Sequence, residues 1–196
     1  MQLDDKEKQE SLDVAEDSRQ TDWHEPSFVA ELFKGNFNWD HIHPFPLQSA
    51  EDKKIGDDYI EVLREILEKY IDPSDVDRTG NIPQEGIDAL AAAGAYGMKV
   101  AKKYGGLGFS QTNYSRCCAF MSSYCASTAA GITAHQSIGV PQPVKLFGTK
   151  EQKEKYLPRI AKGAVTAFAL TEPGVGSDPA KMVTTATPTE DGKHYV

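Results

Sequence analysis

The residues with the best spacing for handling a ligand stand in one run, Phe168-Ala169-Leu170-Thr171-Glu172-Pro173-Gly174-Val175-Gly176-Ser177-Asp178. Val165–Thr171 reads as a strand that delivers Thr171 and Glu172 to a turn set by Pro173 and Gly174. Gly176 lets the backbone come close to a neighbour, and Ser177 offers a hydroxyl beside a backbone N–H. Exposed N–H groups at a glycine turn form an anion nest suited to a pyrophosphate. Donors on the strand could line the edge of a flat ring. No βαβ unit surrounds the run, so it is not a Rossmann fingerprint. On these grounds alone, an ordinary strand-turn with structural glycines is an equal reading. Glu172 belongs to the turn and reads as structural rather than catalytic.

Other reactive residue types are less organised. His41 and His43 lack a third ligand nearby and read as packing or surface residues. Cys117, Cys118 and Cys125 have no CxxC or His pairing that would hold zinc. Residues 118 and 125 on one helix lie about 10 Å apart along its axis, beyond disulfide reach. Small buried thiols in a reducing compartment are the expectation. Tyr104–Gly108 (YGGLG) is a glycine turn without the Lys-Ser/Thr of a phosphate loop.

The elements that must position the run are helical. Ser27–Phe33 is a short helix, and the aromatic, proline-broken Phe37–Pro46 reads as an extended clamp. Asp57–Tyr70 carries Tyr59, Val62, Leu63, Ile66, Leu67 and Tyr70 on one stripe. Asp57 or Asp58 is the expected cap, and Ile71-Asp72-Pro73 the stop. Pro83–Ala93 forms a helix closed by Gly94. Gln111–Thr128, rich in small residues, reads as one buried helix. Helical character resumes over Ile132–Gly139 until Pro141 and Pro143 interrupt it, and Gly148 stops a further short helix. Thr149-x-x-Gln152 is a capping box for Lys150–Lys162, with Tyr156, Leu157 and Ile160 inward and Pro158 at a kink or break. Val183–Ala186 is a second strand, and Asp191-Gly192 a hairpin turn. A chain that stops inside a hairpin reads as truncated.

The chain has 196 residues and a net charge of −8, which argues against nucleic-acid binding. No apolar stretch is long enough to span a membrane. The acidic start lacks the h-region of a secretory signal and is too acidic for a transit peptide, so a cytoplasmic location is expected. Residues 1–22 read as a disordered acidic tail, 23–164 as a helical domain, and 165–196 as the beginning of a β domain.

The run Phe168–Asp178 resembles the signature of acyl-CoA dehydrogenases, (F/Y)xLTEPxxGSD. Five further segments resemble that family in the same order: Tyr104–Gly108, Ala134–Gly139 (AHQSIG), Phe147–Lys153, Lys155–Pro158 and the Glu190-Asp191-Gly192 turn. The likeness runs from about Ser27 to Val196, and SFVAELFKGNF…HPFP looks like the N-terminal extension of the very-long-chain branch.

The resemblance implies a mainly α (α+β) fold: the family's N-terminal helical domain, then the start of its middle β-barrel domain, with the C-terminal helical bundle absent. It implies FAD-dependent α,β-dehydrogenation of acyl-CoA thioesters, with electrons passed to an electron-transfer flavoprotein by a homodimer or homotetramer. Carried over, Phe168, Ala169, Leu170, Thr171, Glu172, Pro173, Gly174, Val175, Gly176 and Ser177 contact FAD. Thr171 bonds the pyrimidine edge, and Ser177 bonds the pyrophosphate and lies near acyl-CoA. The family's next flavin motif and its catalytic glutamate fall beyond Val196, so no catalytic residue is assigned and this stretch alone is expected to be inactive. Val140–Pro143 is one residue longer than in familiar relatives, which leaves acyl-chain length unread. Two other readings stand beside this one: a flavin monooxygenase or nitroalkane-type oxidase on the same scaffold, and a non-catalytic helical binding module.

Overall fold

The computed structural model describes residues 27–45, 47–137, 139–167 and 169–196. The expected acidic tail, and the onset of order near Trp23, lie outside the described residues. One compact unit is Leu47–Phe168, and the described residues before and after it form another.

In the Leu47–Phe168 unit, α2 (Ala50–Tyr70) packs along α5 (Gln111–Tyr124). Helix α1 (Phe28–Phe33) precedes it in the other unit, capped by Ser27. Leu63, Leu67, Leu90, Met98, Cys117, Met121 and Ile132 are at most 1% exposed and form the core. Each such aliphatic side chain contributes about 1.5–3 kcal/mol of burial.

Helix α2 starts two turns before the stripe that predicts it, because its first half packs through polar atoms. Ser49 caps it by accepting from Asp52 N–H at 3.1 Å. Asn113, wholly buried, donates to the Asp52 carbonyl at 2.7 Å and accepts from Gln48 Nε2 at 2.9 Å. Arg116 reaches the Lys53 carbonyl and pairs with Asp57. At Gly56 α5 comes close: a Cβ there would lie 2.0 Å from Asn113 Oδ1. Asp57 therefore serves as an ion-pair partner rather than as the cap.

Pro73 ends one helix and opens another. Asp72 caps α3 (Pro73–Thr79) by accepting from Ser74 and Asp75 N–H, and Gly80 closes it at φ 70°. Helix α4 (Gln84–Ala92) ends before Gly94, at φ 82°. The single helix expected over Gln111–Thr128 is instead broken: Cys125 is extended, and α6 (Ala126–Ser137) begins at once. Neither glycine nor proline marks that break; it lets both helices bury side chains in the same core. Pro141 starts α7 (Pro141–Phe147) rather than interrupting a helix, since the first turn needs no N–H from it.

Helix α8 (Lys150–Ala161) shows the full reciprocal capping box between Thr149 and Gln152. It runs through Pro158, whose missing hydrogen bond frees only the carbonyl of exposed Glu154. Leu157 and Ile160 point inward, but Tyr156 is 37% exposed. Together with Val100 and Ala161, Leu157 and Ile160 form a second small core.

In the other unit, a turn at Trp39–His41 replaces the extended segment expected over Phe37–Pro46. Asn38 caps it, and Phe37, Trp39 and His43 stack in succession. The described residues contain no β-ladder; the strands expected at 165–171 and 183–186 are unpaired, and only isolated bridges occur. The Asp191-Gly192 turn does form a hairpin end, with Thr187 and Val196 exchanging two hydrogen bonds of 2.9 Å.

Candidate functional site

Phe168 lies outside the described residues. From Glu172 onward the predicted turn is present: Glu172 and Val175 exchange backbone hydrogen bonds of 3.2 and 3.0 Å around Pro173 and Gly174. Gly174 at φ 89° takes the left-handed position such a turn requires. Ala169, Thr171, Gly176 and Ser177 are exposed, and Leu170 and Val175 are half-buried.

Glu172 has a defined job. Its carboxylate accepts from Val183 N–H at 2.6 Å, from Thr184 N–H at 3.0 Å and from the Thr184 hydroxyl. The carboxylate thus takes the place of a β-partner for the 183–184 backbone, which is why that segment is extended without a ladder. The Thr184 hydroxyl, followed by the Val183 N–H, holds the Glu172 carboxyl below its ordinary range. Replacing Glu172 by alanine is expected to speed amide hydrogen exchange at Val183 and Thr184. Unchanged exchange at both would show that the carboxylate braces nothing.

Beyond the turn the backbone is free for a ligand. A Cβ at Gly176 would meet no atom within 4 Å, so among the described residues none uses the close approach that glycine permits. Among the described residues, no acceptor takes the N–H groups of Gly176 and Ser177. Two adjacent donors, an exposed hydroxyl and an unfilled glycine face suit a phosphate oxygen. These residues fit a dinucleotide-type cofactor.

Upstream, the Leu47–Phe168 unit holds the approach to this run in place. Thr166 donates its N–H to His135 Nδ1 at 3.1 Å, and Val140 N–H donates to the Thr166 hydroxyl at 3.2 Å. His135, 2% exposed, contacts the Tyr96 carbonyl through Nε2 at 3.1 Å. His135 thus serves packing through its hydrogen bonds, and its tie to Thr166 carries no signal in the spacing of the two residues.

The thiols are free: Cys117 and Cys125 are buried and Cys118 is partly so. Burial pushes the Cys117 thiol up to about 12, which keeps it protonated. His43 stacks on Trp39, and His41 contacts Asn38. Among the described residues, no group of three His, Cys, Asp or Glu side chains could hold a metal ion. No helix among them is long and apolar enough to cross a membrane.

Comparison with known proteins decides the family. The family model for the acyl-CoA dehydrogenase N-terminal domain matches residues 56–164, more than half of the chain. The chain belongs to the acyl-CoA dehydrogenase family. This acyl-CoA dehydrogenase chain is 47% identical over 182 residues to "Probable acyl-CoA dehydrogenase FadE10" of Mycobacterium tuberculosis, covering 93% of the chain and 28% of that protein. It is 36% identical over 171 residues to the mitochondrial very long-chain specific acyl-CoA dehydrogenase of Mus musculus, covering 86% of the chain and 26% of that protein. Among solved structures, the acyl-CoA dehydrogenase of Bacillus anthracis complexed with FAD superposes with a TM-score of 0.58 at 35% identity. That match covers 76% of this chain and 25% of the other. The chain therefore spans little more than a quarter of the length of its curated relatives, and the helical fold is the one this family uses.

Proposed function

We propose that this chain forms the flavin-contacting portion of an FAD-dependent acyl-CoA dehydrogenase that oxidises acyl-CoA thioesters between their α and β carbons. Electrons would leave to an electron-transfer flavoprotein. The observation that carries the reading is the turn at Glu172–Val175. Glu172 braces it from one side, while Gly176 and Ser177 keep their N–H groups for an anion. When bound, FAD supplies the hydride acceptor. The chain's own residues bind and orient: Thr171 presents a donor to the ring edge, and Gly176 and Ser177 present donors to the pyrophosphate. Ser177 also stands beside the acyl-CoA. Phe168–Leu170, Pro173, Gly174 and Val175 complete the contact run.

No residue here is assigned as the base that takes the α proton. Glu172 is excluded from that role by its three internal donors. The domain reading is a helical 23–164 followed by the start of a β domain at 165–196, in a cytoplasmic homodimer or homotetramer. The test is anaerobic addition of a long-chain acyl-CoA to the full-length protein. The visible flavin absorbance is expected to bleach. A colourless full-length protein, or a flavin that no acyl-CoA reduces, would overturn the reading.

A further inference from the structure

On the Leu47–Phe168 unit, four lysines from three stretches of chain meet at one concavity of about 230 Å³. Lys99 and Lys103 flank Val100, Lys145 projects from α7 and Lys153 from α8. Leu157, 3% exposed, contributes apolar wall, and no carboxylate is among the lining residues. Among the described residues, none of the four lysines pairs with Asp or Glu. The concavity also has a built floor. Gln136 is 2% exposed, donates to the Ala95 carbonyl at 2.6 Å and accepts from Lys99 N–H at 3.1 Å. A primary amide carries two donors, so one N–H of this buried group has no acceptor among the described residues.

Such an arrangement runs against the chain's overall balance of −8. Like charges brought together on a partly apolar surface repel, and a bound anion relieves that repulsion. The repulsion is visible at Lys99, whose ammonium is held below its ordinary range by partial burial first and by the charge of Lys145 second. A single carboxylate would neutralise one of the four cations, whereas a phosphoryl dianion can bridge several. The volume falls below the roughly 300–1,000 Å³ of drug-sized sites, so the group attached to the anion must be small or only partly enclosed.

We propose that this cleft is a binding site for a phosphate monoester, with the phosphoryl group among Lys99, Lys103, Lys145 and Lys153 and the group it is attached to against Leu157. The phosphoryl group has two chemical sources: a separate small metabolite, or the phosphorylated nucleotide end of an acyl-CoA. The second source rests on the proposed function above; the first does not.

The test is calorimetric titration of the full-length protein with phenyl phosphate, alongside inorganic phosphate and uncharged phenol. The same titrations are made on the double variant Lys99→Gln, Lys145→Gln, with its thermal melt as a folding control. The expected result is binding of phenyl phosphate but not phenol, weakened about tenfold or more in the variant and weaker at high salt. Steady-state kinetics then separate the sources. A KM raised for acyl-CoA but not for the matching acyl-pantetheine assigns the site to the substrate's nucleotide end. Unchanged KM values with phenyl phosphate binding lost assign it to a separate metabolite. No binding at roughly physiological ionic strength, or equal binding by a folded double variant, overturns the proposal.

Discussion

Replacing Gly106 by alanine is expected to destabilise the Leu47–Phe168 unit by about 3 kcal/mol, the upper range for forcing an atom into a packed interior. A Cβ at Gly106 would lie 2.2 Å from the Val100 carbonyl oxygen, 2.5 Å from Val100 Cβ and 2.7 Å from the Gly97 carbonyl oxygen. Two of these three neighbours are backbone atoms, which cannot swing aside. The two stretches are also laced together: Leu107 N–H donates to Gly97 O at 3.1 Å, Phe109 N–H to Met98 O at 2.8 Å and Gly108 N–H to Val100 O at 2.9 Å. Making room for a methyl group means stretching those bonds. Thermal melts should show a fall of roughly 6–12 °C.

Gly176 supplies the contrast. Its Cβ would meet open space, and its φ lies outside the left-handed range, so alanine there is expected to stay within about 0.5 kcal/mol of wild type. Its flavin content should nevertheless fall. A Gly106→Ala protein with an unchanged melt would show that the glycine turn is looser than its hydrogen bonds imply.

These two glycines also mark how far the sequence is legible. Both stand in short glycine-rich motifs, and both motifs point to the family. Spacing alone does not tell which glycine serves the fold and which serves a ligand. That difference lies in what stands opposite: Gly106 faces residues 97–100, while Gly176 faces none of the described residues. The helices were legible where burial is apolar and periodic. The box at Thr149 and Gln152 is found where expected, and so is the stripe from Tyr59 to Tyr70 except for Val62, which is exposed.

Legibility failed where polar atoms do the packing. The first two turns of α2 are held by Asn113, Asp52, Gln48 and Arg116, residues that a hydrophobic pattern scores as solvent-facing. It also failed where the partner is distant in the chain. The Lys99, Lys103, Lys145 and Lys153 cluster spans 55 positions, and each lysine alone reads as an ordinary surface charge. The strand expectation at 183–186 missed because a glutamate eleven residues upstream satisfies those amides in place of a neighbouring strand.

His135 is the second position where a large effect is expected, and its sign is fixed by its hydrogen bonds. Nδ1 accepts from Thr166 N–H, so the remaining ring proton of the neutral side chain sits on Nε2 and is donated to the Tyr96 carbonyl. No charged side chain bonds to the ring; Tyr96 packs edge-on with centroids 5.3 Å apart. Burial, the largest influence, holds the His135 pKa below its ordinary 6.5, against the opposing effect of the hydrogen bond to the Tyr96 carbonyl. The unfolded chain therefore binds a proton near 6.5 that the folded chain refuses. Stability contributed by His135 is complete above that pH and is lost as pH falls from about 6.5 toward the lowered folded value, by up to about 1.4 kcal/mol per pH unit. Protonating Nδ1 would also break the bond from the Thr166 N–H, two positions before Phe168, leaving the ring only the Thr166 hydroxyl 3.0 Å away as a partner there. The acid side of the stability curve should thus coincide with loosening of the approach to the Phe168–Ser177 run. His135→Ala is expected to cost about 3 kcal/mol near pH 7.5, by leaving the Tyr96 carbonyl and Thr166 N–H unpaired beside a cavity. Denaturant titrations at intervals from pH 7.5 to 5 measure both effects. The gap between wild type and variant should narrow as pH falls through the window below 6.5. A gap that stays constant would mean that the folded and unfolded chains take up the His135 proton alike, so that burial does not hold its pKa down.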